Sequence, residues 1–155
     1  MPIKIGKILL SSFACYLLSL PAIATTKNSE LMISNAYMPK VPPVSRTAAV
    51  YLTIKNPTDQ SFVLMAISSD ISRHAMMHQT VTKEGMVKMS HQPSLMIQAG
   101  ETIQFTPGAK HIMLMGLQKP LPIKKFNLQL IFEHHEKQTV EVDVVSNIIN
   151  NSEEE

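Results

Sequence analysis

The chain has 155 residues, with 14 Lys plus Arg against 12 Asp plus Glu, 11 Met, a single Cys and no Trp. That length supports one domain with a real core. The near-balanced charge excludes the basic patch that nucleic acid needs, and one Cys excludes a disulfide framework.

The first residues read as a secretory signal. Lys4 and Lys7 form a charged start, Ile8 to Leu20 is largely apolar, and Ala22-Ile23-Ala24 matches an A-x-A cleavage site. The apolar run is short for a membrane span and is broken by Ser11, Ser12, Ser19 and Pro21. Residues 1–24 are therefore expected to be a cleaved export segment, with the product periplasmic and not stably inserted in the membrane. Cys15 lies inside this segment, and Ser12 stands where a lipid-attachment motif needs Leu. Lipidation is not expected. Cleavage leaves 12 basic and 12 acidic residues and no thiol. Thiolate metal sites and thiol catalysis are thereby excluded.

Beyond a polar linker at 25–30, Leu31 to Tyr37 reads as the first strand. Met38 to Val44 carries three prolines, which lack the amide donor, and reads as an extended loop. Ala48 to Lys55 alternates around Val50, Leu52 and Ile54, the pattern of a half-buried strand. Asn56 to Gln60 is a turn by composition. Phe62 to Ser68 is the next strand, then Ala75 to Val81, with Lys83-Glu84-Gly85 turning into Met86 to Met89. Leu95 to Ile97 and Thr102 to Phe105 are short extended pieces. Phe126 to Glu133 and Thr139 to Val145 form a closing hairpin around His134-His135-Glu136-Lys137. The mature domain is expected over 25–146, and the acidic tail at 147–155 is expected to be disordered. Short strands, frequent turns and no helical period predict an all-β sandwich or barrel.

One stretch carries chemistry. In His111-Ile112-Met113-Leu114-Met115, His111, Met113 and Met115 share one parity, while Ile112 and Leu114 share the other. A strand sends these sets to opposite faces, with same-face residues about 6.6 Å apart. An imidazole and thioethers then stand on one side and hydrocarbon on the other. Pro107-Gly108 upstream and Gly116 downstream suggest a short strand, or a strand end leaving a loop. Met is also a common core filler, and most of the ten Met beyond the signal must simply pack.

Counting back from His111, Met89 lies 22 positions earlier and His78 a further 11. The pattern is His, ten residues, Met, twenty-one residues, His, one residue, Met. With this spacing the chain resembles the PCuAC family of periplasmic copper chaperones. The resemblance runs from Ala48–Asn56, through His78-Gln79-Thr80 and Gly85–Met89, to His111–Leu117. It implies a cupredoxin-like β-sandwich and a site made of His78, Met89, His111 and Met113. It also implies delivery of copper to a recipient, either the dinuclear CuA centre of cytochrome c oxidase or its assembly factors. Partners are then copper-donating or copper-receiving envelope proteins, with no nucleic acid.

The donor chemistry agrees with the resemblance. Cu(I) is soft and favours imidazole and thioether, whereas Mg²⁺ and Ca²⁺ need oxygen donors. Two imidazoles and two thioethers are four neutral donors for one monovalent ion per chain, with Cu(II) held weakly at most. Met115 shares the face of His111 and Met113 and reads as packing before a spare donor or a wall of the site; Met76 and Met77 sit just before His78, where one could approach the metal, and also read as packing, and Met86 has no role. His74, His91, His134 and His135 fall outside the pattern. No catalytic arrangement stands out, so an enzyme is not expected. The alternative is an exported β-sandwich that binds another protein and has no metal.

Overall fold

The computed structural model describes residues 30–83, 85–122 and 124–146. The expected export segment at 1–24 and the expected tail at 147–155 lie outside the described residues. Ten strands follow in order: β1 (Met32–Pro39), β2 (Thr47–Lys55), β3 (Phe62–Ser69), β4 (Ser72–Lys83), β5 (Met86–Gln92), β6 (Leu95–Ile97), β7 (Thr102–Phe105), β8 (Lys110–Leu117), β9 (Lys125–Phe132) and β10 (Gln138–Val145). No helix occurs among the described residues.

Seven strands close on themselves. β4 pairs with β8, β8 with β2, β2 with β1, β1 with β10, β10 with β9 and β9 with β3. The ring closes where β3 meets β4 at Ile67–Ala75. Among the described residues only the β1–β10 pairing is parallel; the other pairings are antiparallel.

The remaining three strands branch off where a ring strand changes neighbours. β2 pairs β8 through Thr47–Val50 and β7 through Leu52–Lys55. β3 pairs β6 at Phe62–Leu64 and β4 at Ile67. β4 meets β3 at Ala75 and β5 from Met77 to Lys83. Closure pairs most backbone edges and leaves β5 as the outermost strand of its branch.

Alternation fills the interior. Ala48, Val50, Leu52 and Ile54 of β2 are buried, as are Ile112 and Leu114 of β8, and Phe126, Leu128, Leu130 and Phe132 of β9. Burial of these rows is the main stabilising term of the fold, roughly 1.5–3 kcal/mol for each large side chain.

Three sequence-based boundaries need correction. Met38 and Pro39 belong to β1, and Met38 is buried at 1% exposure. Pro39 sits at the strand's last position, so its missing N–H interrupts no ladder, and Lys40 N–H donates onward to Val145 O. β4 begins at Ser72 and not at Ala75, because Ser72 and His74 are paired opposite Leu117 and Met115 of β8. β8 itself is no strand end. It runs eight residues between β4 and β2, and Gly116 continues it at φ 66°, a conformation glycine adopts without strain.

Candidate metal centre

The site is built on three adjacent strands, β5-β4-β8, and their register decides which side chains meet. In an antiparallel pair, directly opposed residues share a face. Along β4 and β8 the opposed pairs are His74 with Met115, Met76 with Met113, and His78 with His111. The intervening pairs, Ala75 with Leu114 and Met77 with Ile112, face the barrel interior. The alternation read from His111 to Met115 therefore holds: Ile112 and Leu114 are fully buried core, and the His and Met set faces away from it.

The histidines are close. The ring centres of His78 and His111 are 5.8 Å apart, with planes tilted by 31°. Two imidazoles sharing one ion through metal–nitrogen bonds of about 2 Å have ring centres roughly 4.5–6.4 Å apart, for bond angles from ~90° to ~180°. The observed separation falls inside that span. Met113 follows His111 on the same face and is half-buried.

Hydrogen bonding and burial set which ring nitrogens can offer a lone pair. His111 is 6% exposed, and its Nδ1 lies 3.2 Å from Ala109 O. A carbonyl only accepts, so Nδ1 carries the hydrogen of this bond, and in the neutral ring the lone pair is on Nε2. His78 Nδ1 is buried and has no hydrogen-bond partner among the described residues. Leaving such a group unpaired costs about 1–3 kcal/mol, and a bound ion is one of the few things that relieves it. Burial lowers the His78 pKa below the ordinary histidine value, and the neighbouring His111 and His91 rings lower it further. The neutral form that can bind a metal is the one this surrounding favours.

Met89 stands further out. It is opposite Thr80, not His78, and is 50% exposed on β5. The structure thus brings His78, His111 and Met113 together and places Met89 one strand over, on the outer side of His78.

Two further residues take places on this face. His91 is opposite His78 on β5, and the two ring centres are 5.7 Å apart at 66°. Met76 is opposite Met113 on the same face, whereas its neighbour Met77 is core at 4% exposure, as expected of packing. A signal for His91 was present. The hairpin register pairs Lys83 with Met86 and runs back to His78 opposite His91. Nothing comparable in the sequence fixes the register of β4 against β8. His134 and His135 lie in the β9–β10 turn, where His135 stacks 4.5 Å from Phe62.

Among the described residues, no group of three or more His, Cys, Asp or Glu side chains is gathered to hold a metal. His91, His78 and His111 form a row across three strands and do not surround a point. The further donors on this face are thioethers, and a face of imidazoles and thioethers suits a soft ion over a hard one.

The LpqE-like family, described as "Putative lipoprotein LpqE-like", matches residues 31–144. The chain belongs to this family. A relative in Leifsonia xyli subsp. xyli, named "Putative lipoprotein Lxx21020", is 32% identical over 145 residues, covering 90% of this chain and 86% of that one. Among solved structures, CuI-DR1885 from Deinococcus radiodurans is 28% identical, with a TM-score of 0.65 over 81% of this chain and 85% of the other. The copper-bound PCuAC domain from PmoF2 is 17% identical, with a TM-score of 0.63 over 76% of this chain and 93% of that domain. The resemblance to PCuAC domains is thereby borne out, and the LpqE-like chain has their all-β, cupredoxin-like fold.

Proposed function

We propose that this LpqE-like protein is a copper chaperone. It binds one Cu(I) through His78, Met89, His111 and Met113 and carries it outside the cytoplasm to a recipient. The observation that carries the reading is the opposition of His78 and His111 at 5.8 Å, with Met113 beside them on β8. Neutral imidazoles and thioethers match a soft monovalent ion, and Met keeps its donor where a thiol would oxidise. The likeness to CuI-DR1885, at 28% identity, supports copper as the cargo.

Export is supported by the lipoprotein names of the family and of the Leifsonia relative. It agrees with the signal pattern read at 1–24. The PCuAC resemblance supplies the recipient class: the CuA centre of cytochrome c oxidase, or the factors that assemble it. A shallow site suits that task, since Met89 is half in solvent and handing over an ion needs an open approach. The protein acts as a carrier and not as a catalyst.

Anaerobic titration against a competing Cu(I) chelator tests the reading. One equivalent binds, and Met113→Ala weakens binding by at least about tenfold, or ~1.4 kcal/mol. Equal affinity in wild type and Met113→Ala would remove Met113 from the site and the carrier reading with it.

A further inference from the structure

His91 has a position that the four-donor set does not use. It stands on β5, the outermost strand of its branch, opposite His78 and on the side away from His111. His78 is thus the middle of a row of three imidazoles, 5.7 Å from His91 and 5.8 Å from His111. Both separations allow two rings to share one ion, but a row cannot put all three on the same ion. Met89 lies two residues before His91 on the same face of β5. The face therefore offers two overlapping donor sets. The inner one is His78 with His111 and Met113; the outer one is His78 with His91 and Met89.

The two sets differ in access. His111 is buried and Met113 half-buried, whereas His91 and Met89 are exposed. His91 also borders a shallow cavity of about 170 Å³ where β3 and β5 diverge, together with Met65 and Met76. That opening leaves room for a donor from another molecule.

We propose that His91 is the exchange ligand through which Cu(I) enters and leaves this site, a role that rests on the copper-carrier reading. The imidazole lone pair of His91 bonds to the ion while the Nε2 of His111 and the sulfur of Met113 let go. His78 and Met89 stay bound throughout. Neutral donors replace neutral donors, so no proton or electron moves, and the ion remains Cu(I). Each intermediate keeps three donors, which lowers the barrier below that of outright dissociation. His91 belongs to the path and not to the resting set, so its removal changes rates in both directions and leaves the equilibrium nearly untouched.

The test is stopped-flow transfer of Cu(I) from the loaded full chain to bicinchoninate, together with equilibrium competition under the same anaerobic conditions. His91→Ala is expected to slow transfer about fivefold or more while the affinity stays within about twofold. His91→Met, which restores a soft donor, recovers most of the rate. His134→Asn, a change at a remote exposed histidine whose positive φ Asn tolerates, leaves both quantities unchanged. An unchanged rate in His91→Ala overturns the proposal. So does a loss of affinity that parallels the loss of rate, because His91 would then be a resting ligand. A wild-type protein that takes up no Cu(I) overturns the carrier reading as well; one that binds an ion but releases it regardless of His91 overturns this inference alone.

Discussion

At the scale of single residues, the site depends on which imidazoles are neutral and aimed at one another. Burial lowers the His78 pKa, and the His111 and His91 rings push in the same direction. An ion and a proton compete for the same lone pair. A lowered pKa means that His78 gives up that lone pair only below the ordinary value of about 6.5. The expected outcome is an apo-protein NMR titration in which the His78 ring has its midpoint below that value. Cu(I) affinity is then fully present at neutral pH and declines as the solution is acidified past the His78 midpoint, by up to about tenfold per pH unit for each coordinating His that titrates. Chelator competition between pH 5 and 8 reads this directly. An affinity that stays level below the measured His78 midpoint would mean that this imidazole is not a donor, and a His78 midpoint above 6.5 would contradict the burial argument.

At the scale of elements, much was legible and some was not. The alternation in His111–Met115 gave the two faces of β8, because a period of two is a property of the strand itself. Met89 and His78 were legible as hairpin partners because Lys83-Glu84-Gly85 is a turn signal in the sequence. The extra residues of β4 and β8 were hidden, since Ser72 and Lys110 are strand residues only through their cross-strand partners. His91 falls outside the linear spacing pattern that singles out Met89, although the hairpin register sets His91, not Met89, opposite His78.

A second element-level feature is Asn56, fully buried at the end of β2. Its Nδ2 donates to Gln60 O at 2.7 Å, Gln98 O at 2.8 Å and Ile97 O at 3.3 Å. Its Oδ1 accepts from the Thr58 N–H at 3.0 Å and the Thr58 hydroxyl at 2.7 Å. One amide thus ties the β2–β3 turn to β6. Asn56→Asp keeps the shape but turns the donor into an acceptor facing three carbonyls. The expected loss is about 2–4 kcal/mol of unfolding free energy in a urea titration, from stranded carbonyls and a buried charge. A loss under about 0.5 kcal/mol would show that the turn does not need this amide.

At the scale of the whole molecule, the site joins a closed ring to a strand outside it. β8 and β4 belong to the seven-strand ring and carry its core residues, whereas the residues of β5 are exposed or half-buried and contribute nothing to the buried core. β5 is held by its pairing with β4, so it belongs to the part of the fold that opens at least cost. An ion bound at once by His78, Met89, His111 and Met113 ties β5 to the ring through bonds that the unfolded chain cannot form together. Free ligand at a thousand times its dissociation constant stabilises the folded state by about 4 kcal/mol, which for a domain of this size raises the melting temperature by on the order of 10 °C. Hydrogen exchange distinguishes where that stabilisation acts. The β5 amides are expected to slow most on addition of Cu(I), more than those of β9 or β10 on the far side of the ring, and Met89→Ala is expected to abolish the extra protection of β5 while β8 still responds. Uniform slowing across all strands would show that the ion does not reach across from the ring to this outer strand, and protection of β5 that survives Met89→Ala would show that Met89 is not the residue that ties it.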